Sequence, residues 1–170
     1  MNKSFFCRVW IRFVQWIINH ILKGTHAYSM KRMLLRSAGM KVGNGTQVVG
    51  PISFDFAHIS IGENCWIAKD FEINGHGTVT IGNDVGIGPH TRIYTGKHLM
   101  GPPQKRHAGQ NINTKVIIED GVMIAAGSSI VGSVTIAEGA VAMIDSCVVK
   151  DVEKNAMVGG VPAKVIKIIE

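Results

Sequence analysis

The sequence predicts an all-β chain, a solenoid of stacked parallel coils, and three observations lead there. Isoleucine returns every sixth residue at Ile61, Ile67 and Ile73, at Ile81, Ile87 and Ile93, and at Ile118, Ile124, Ile130 and Ile136, with Ala142 and Val148 holding the same step. The fourth residue after each of these positions is usually small or apolar too, as at Cys65, Phe71, Val85, Thr91, Val122, Ser128, Val134, Ala140, Ser146 and Val152. The residue directly after the isoleucine is often Gly or Ala, as at Gly62, Ala68, Gly82, Gly88, Ala125 and Ala137. A helical face needs spacings of three and four and a simple strand a spacing of two, so a fixed step of six marks a stacked repeat.

Two inward positions per hexapeptide fit a short strand and a corner, and a small residue after the isoleucine suits a backbone that bends tightly. Stacked coils pair as parallel strands with the isoleucines in a ladder inside, and such a core is quasi-linear, stabilised by neighbouring coils alone. The repeats begin at Val42-Gly43 and Val48. From Ile61 onward the step slips twice, by two extra residues around Asn74 to Thr80 and by a longer excursion between Ile93 and Ile118. That excursion, TGKHLMGPPQKRHAGQNINT, is rich in Gly, Pro and charge, so it leaves the coil as a loop and is where chemistry is sought.

The N-terminal segment reads as a helix from about Phe5 to Leu22, with Ser4 as N-cap and Lys23-Gly24 as stop, and a second helix over Ser29 to Ser37 before Gly39. Arg8, Arg12, Gln15 and Asn19 form a narrow polar stripe beside a wide face of Phe5, Phe6, Val9, Trp10, Phe13, Trp16, Ile17 and Ile21. Two arginines argue against a spanning helix and, with no A-x-A cleavage site, against a signal peptide. Two readings stand: a helix packed on its own coil or on a partner subunit, and a helix lying in a membrane surface with its bases toward anionic headgroups.

At 170 residues with 46% hydrophobic residues, the chain fills one continuous core. The net charge of +6 is uneven: residues 1–40 hold seven bases and no acid, which leaves 18 − 7 = 11 bases against 12 acids in the rest. Nucleic-acid binding is disfavoured, because these bases are interleaved with apolar helix residues. Cys7, Cys65 and Cys147 make an odd number without C-x-x-C, two of them on small inward repeat positions, so they read as structural thiols in a reducing compartment.

The pattern resembles the left-handed parallel β-helix of the hexapeptide-repeat acyltransferases, in which three hexapeptides make one triangular coil. The hand comes from that resemblance, since parallel crossovers are right-handed in about 98% of cases. LLRSAGMKVGNG resembles the family's junction of helix and first coil, and KDVEKNAMVGGVPAKVIKIIE its closing stretch, with G-x-P-A-[KR]-V-I at Gly160 to Ile166. The organisation is then N-terminal helices over 1–40 and a β-helix over 41–170, with the extruded loop at 95–114 and the closing segment at 150–170.

VTIGNDVGIGPHTRIYTGKH, residues 79–98, aligns without a gap to the segment ending in the catalytic histidine of the galactoside, maltose and xenobiotic acetyltransferase branch, which makes His98 the candidate general base. A thioester is already activated, so a neutral imidazole need only take the proton of an attacking hydroxyl, with no covalent enzyme intermediate. The same alignment puts His76 where relatives place an aspartate that contacts the acceptor; Asp70, Tyr94 and His107 are further acceptor-side candidates, and His90 reads as a surface or interface residue. For the donor the resemblance implies acetyl-CoA in a groove between subunits of a homotrimer, held by Ala126, Ile144, Val149, Lys150, Lys164 and Lys167, the lysines facing phosphates. The family often has Trp where this chain has Met123 and G-A-G-S where it has Met143 to Ser146, so Ile144 and Asp145 stand to narrow that groove.

The implied function is a cytoplasmic O-acetyltransferase acting on a sugar hydroxyl, in the manner of the exopolysaccharide and colanic-acid acetyltransferases. The basic apolar helix points to a lipid-linked polysaccharide precursor at the inner face of the membrane. A zinc hydratase of the γ-carbonic anhydrase type shares the coil, but needs three converging histidines and an H-x4-H pair, whereas His98 and His107 stand nine apart. A non-catalytic trimeric scaffold is the other alternative. No metal is expected.

Overall fold

The computed structural model describes the backbone of residues 3–55 and 58–170, with the side chains of all of these but 3–8 and 108. Helix α1 (Lys3–Trp16) runs into a π-helical turn (Ile17–Ile21), and α2 (Tyr28–Ser37) leads to the first coil. Five coils follow, each of three short strands: β1 (Lys41–Val42), β2 (Gln47–Val48) and β3 (Ile52–Phe54); β4 (His58–Ile61), β5 (Trp66–Ile67) and β6 (Phe71–Asn74); β7 (Thr78–Ile81), β8 (Gly86–Ile87) and β9 (Arg92–Tyr94). An antiparallel arm, β10 (Gly96–His98) and β11 (Asn111–Asn113), interrupts the series before β12 (Lys115–Ile118), β13 (Met123–Ile124), β14 (Ser129–Val131), β15 (Val134–Ile136), β16 (Val141–Ala142) and β17 (Cys147–Val148). A closing hairpin joins β18 (Ala156–Gly159) to β19 (Lys164–Ile168).

Three faces result. The first face is β1-β4-β7-β12-β15, the second β2-β5-β8-β13-β16-β18-β19 and the third β3-β6-β9-β14-β17, parallel throughout except for β19. Register stacks isoleucine on isoleucine, as in Ile61↔Ile81, Ile81↔Ile118 and Ile118↔Ile136. Every six-step position from Ile61 to Val148 is buried, and so is the position four residues later wherever the chain stays in the coil, the small polar Thr91, Ser128 and Ser146 included. Those hydroxyls donate to corner carbonyls, Thr91 to Gly88 O (2.8 Å) and Ser128 to Met143 O (2.9 Å), which is why they are tolerated inside. Each buried isoleucine contributes about 1.5–3 kcal/mol.

The corners correct one expectation. A Cβ on Gly62 would strike the backbone of Gly82 in the next coil, so this glycine answers to close stacking rather than to a tight bend. The left-handed conformation falls at the first two corners instead, three residues after an inward strand residue: Asn64, Asp84 and Asn155 at the first corner, Asp70, His90 and Asp145 at the second, all with φ between +54° and +59°. Asn, Asp and His tolerate that region better than other side chains. Cys147 also departs from expectation. Cys65 is buried, but Cys147 is half-buried and pairs with Ser129 on the outward row of the third face; the Cys7 side chain lies outside the described residues.

The two N-terminal helices close the open end of the first coil, whose backbone groups would otherwise be an unpaired sheet edge. Arg36 Nε donates to Val42 O (2.7 Å), Arg32 Nη1 to Thr46 O (2.8 Å), and Lys31 Nζ to Val48 O (3.0 Å) and Gly24 O (2.6 Å). Asn19 Nδ2 donates to Ile52 O (2.8 Å) while its Oδ1 accepts from Ile52 N–H (2.9 Å), and Gln15 forms the same two bonds with Phe54 (3.0 and 2.8 Å). Side-chain amides thus stand in for a missing strand. Burial pushes the Lys31 ammonium pKa down, yet its two carbonyl partners and the Tyr28 ring at 5.4 Å hold it in place.

The helix reading is corrected on three points. Ser4 lies within α1 rather than capping it, and the α-helix ends at Trp16, with the π turn carrying the chain to Leu22. Gln15 and Asn19 of the polar stripe face the strand edge, and Ile11, Val14 and Ile18 are buried beside them. The expected apolar face is the outward one, with Val9, Trp10, Phe13, Trp16 and Ile21 exposed; Phe5, Phe6 and Arg8 have side chains outside the described residues.

Asn19→Leu leaves both Ile52 backbone groups without their partner and is expected to lower stability by about 1–3 kcal/mol in urea unfolding, with the midpoint shifted at unchanged slope. Ile124→Ala, which opens a cavity in the ladder, is expected to cost about 2–5 kcal/mol in the same assay.

Candidate functional site

Both departures from the six-residue step fall at the third corner, in adjacent coils. The lower one is the turn Gly75 to Gly77 between β6 and β7; the upper is residues 95–114 between β9 and β12. Buried Thr95 ties them together: its N–H donates to Asn74 O (2.8 Å), and its Oγ1 accepts from Gly77 N–H (3.1 Å). Thr114 N–H in turn donates to Thr95 O (2.7 Å), so the excursion leaves and rejoins the coil at one clamped point.

From that base the excursion rises as an arm with Gly96, Lys97 and His98 paired to Asn113, Ile112 and Asn111, followed by a 3-10 segment over Pro103–Ala108. His98 is exposed and sits on a strand, a firmer mount than an irregular loop. His107 is exposed in the helical segment, His76 is exposed on the lower turn, and Tyr94 is half-buried where β9 meets the arm. The structure brings these four to one corner. Lys97, Lys105 and Arg106 give the excursion three bases and no acid, a positive border for an anionic ligand.

Asp70 lies elsewhere, at the second corner, in the left-handed conformation beneath His90, whose Nδ1 is 3.7 Å from its carboxylate. Ala126 and Ile144 occupy that same second corner one coil apart, linked by Asp145 N–H to Ala126 O (2.9 Å). Val149 and Lys150 are exposed at the third corner, two coils beyond the arm, and Lys164 and Lys167 project from β19 on the second face. One protomer therefore divides the candidates: His98, Val149 and Lys150 along one edge of the third face, Ala126 and Ile144 along the other. Asp145 does not project into the corner groove, because its carboxylate lies against Gly127, whereas Ile144 projects fully.

Register also draws an outward row along the second face, through Gln47, Trp66, Gly86, Met123, Val141, Met157 and Lys167. Gly86 leaves a gap between the Trp66 and Met123 side chains, and the result is an apolar trough of about 330 Å³ floored by Gly86, Gly88, Ala125 and Ala126. Trp66, with the Tyr28 ring 6.4 Å away, lines this trough and is a candidate that the repeat pattern passes over. Its signal was an aromatic at an outward position in a chain with 6% aromatics. Two further hollows, of about 410 and 520 Å³, lie on the first face and hold none of the candidates.

Cys65 is unsuited to nucleophilic work: burial pushes its thiol pKa up, and its Sγ lies 3.1 Å from Gly82 O. Among the described residues, no group of three or more His, Cys, Asp or Glu is placed to hold a metal ion.

No protein-family model matches the chain. Nodulation protein L of Rhizobium meliloti is 36% identical over 134 residues, 78% of this chain and 73% of that one. The galactoside O-acetyltransferase of Escherichia coli is 29% identical over 138 residues, 81% of this chain and 68% of that one. Against a Schizosaccharomyces pombe relative and the galactoside O-acetyltransferase of Lactococcus lactis, the chain spans 60% of their length. A hexapeptide-repeat acetyltransferase of Vibrio cholerae, solved with acetyl-coenzyme A, superposes with a TM-score of 0.85 at 28% identity over 96% of this chain and 87% of that one. With the backbone superposing over nearly its whole length, and a relative 36% identical across most of both chains, the chain belongs to the hexapeptide-repeat acetyltransferases.

Proposed function

We propose that the protein transfers the acetyl group of acetyl-CoA to a hydroxyl of a sugar, with His98 as general base and the site completed by a neighbouring subunit of a homotrimer. The observation that carries this reading is the division of the candidates between the two edges of the third face. Three triangular coils that turn their third faces toward a common axis bring the arm-bearing edge of each against the Ala126 and Ile144 edge of the next. Such a heterologous contact closes as a ring.

In that setting the donor lies along the neighbour's second face. Lys164 and Lys167 receive its phosphates as compact point charges. From Lys167 the outward row reaches Met123 in three strand steps, about 14 Å at the usual spacing of about 4.8 Å, so an extended donor has its anionic end at the lysines and its thioester end at the trough. Trp66 offers a flat apolar surface to the C–H face of a sugar ring, while His76, Tyr94 and His107 bear polar groups toward its hydroxyls.

The chemistry is a direct displacement. The sugar oxygen forms a bond to the thioester carbonyl carbon while the His98 imidazole takes its proton, and the collapsing adduct breaks the C–S bond, the thiolate sulfur recovering that proton. General-base help contributes about 100-fold to 10,000-fold, and orientation of the two substrates contributes the larger share. The similarity to a galactoside O-acetyltransferase supports a sugar acceptor. The open trough and the basic helices support an acceptor carried on a lipid, a polysaccharide precursor met in the cytoplasm at the inner face of the membrane.

Purified protein is expected to release CoA from acetyl-CoA in the presence of a glycan acceptor, and His98→Ala to lower kcat by about 100-fold or more; activity near wild type in that variant would overturn the assignment. Lys164→Ala with Lys167→Ala is expected to raise the KM for acetyl-CoA about tenfold at little change in kcat, and Trp66→Ala to raise the KM for the acceptor. Co-expressing His98→Ala with Ala126→Trp, each inactive alone, is expected to restore part of the activity in mixed oligomers, since some interfaces then combine an intact arm with an intact trough. Absence of any recovery would sink the shared site.

A further inference from the structure

We propose that the outward aromatic face of α1 docks the protein on an anionic phospholipid bilayer. The helix has two opposed faces. Ile11, Val14 and Ile18 enter the core while Gln15 and Asn19 grip β3, so the helix cannot roll to hide its other side. On that other side Val9, Trp10, Phe13, Trp16 and Ile21 are 51%, 41%, 48%, 50% and 61% exposed. Their rings form a continuous ladder, Trp10 to Phe13 at 5.6 Å, Phe13 to Trp16 at 6.3 Å and Trp16 to His20 at 5.4 Å. Met30 and Met33 of α2 are exposed as well.

Charge selects the occupant. Residues 1–40 carry seven bases and no acid. Lys31, Arg32 and Arg36 bond neutral carbonyls of the coil rather than carboxylates, so their charge is not cancelled there. A second copy would bring together two N-terminal segments that each hold seven bases and no acid. An anionic lipid surface offers the opposite sign together with an interfacial zone that tryptophan and phenylalanine favour. No helix among the described residues is long and apolar enough to cross a membrane, so contact is along the surface.

The helices close the end of the coil, which stands the coil on the bilayer with its axis outward. The arm leaves the third coil, two strand spacings above the first, or about 10 Å. The docking surface rests on α1 and its charge alone and stands whether or not the acetyl acceptor is a lipid.

The test uses the full chain and vesicles of mixed phosphatidylglycerol and phosphatidylethanolamine, with phosphatidylcholine vesicles as the neutral comparison. Co-sedimentation with the anionic vesicles is expected to exceed that with the neutral ones by about tenfold, to weaken at high salt, and to be accompanied by quenching of tryptophan emission by lipids brominated on the acyl chain. Phe13→Ser with Trp16→Ser is expected to lower vesicle binding about tenfold at an unchanged melting temperature and unchanged CoA release with a soluble acceptor. Wild-type protein left in the supernatant, or unquenched on the vesicles, overturns the proposal. So does a variant that binds like wild type, or one whose oligomer mass falls, since the face would then be a subunit contact. Failure of acetyl transfer in wild type with vesicle binding intact strikes the proposed function and leaves the docking surface standing.

Discussion

The strands of each coil take their ladder hydrogen bonds from the coils above and below. Val42 pairs to Ile61, Ile61 to Ile81, Ile81 to Ile118 and Ile118 to Ile136, with an isoleucine or valine side chain at each rung. A strand interior within such a stack accepts no extra residue, because one insertion would turn every following side chain from the core to the solvent. Additions are therefore confined to corners, and a stack with two ends must find partners for the backbone groups of its first and last coils. The arm, the amide clamp and the closing hairpin all answer to this one requirement.

The first coil shows how that requirement shapes composition. Five side chains, Arg36, Arg32, Lys31, Asn19 and Gln15, take carbonyls from Val42 to Phe54. Cations serve here because they donate without needing to accept, and the two amides serve at β3 because they do both. Having committed its polar side to the coil, α1 presents its aromatic side outward. A basic, aromatic end and an arm-bearing flank are thus parts of a single arrangement.

Positioning at the third corner has the same origin. Thr95 and Thr114 hold the base of the arm to the turn below, so His98 is carried on paired strands rather than on a free loop. Of the residues that the resemblance assigns to the donor, Val149 and Lys150 share the arm's edge, Ala126 and Ile144 fall on the opposite edge, and Lys164 and Lys167 lie on the second face. In a rigid triangular coil these edges cannot approach one another, and a second copy of the chain is the economical way for them to meet.

Much of this was legible in the residues themselves. The six-residue step marked most inward positions from Ile61 to Val148, Val79 and Val116 being buried beyond it, and the Gly- and Pro-rich stretch after Ile93 marked the arm, because burial and turn chemistry act locally and leave a local trace. Other features left none. The step is the same for either hand of coil, the direction in which Gln15 and Asn19 face depends on a strand more than thirty residues away, and Trp66 becomes part of a trough only because Gly86 and Met123 stack beside it. The chain by itself determined which residues are inward and where the coil is broken, since those follow from spacing and residue type. Which corner each break shares, which helix face meets water and which outward side chains line up were decided by the stacking of distant coils, a relation that no window of sequence contains.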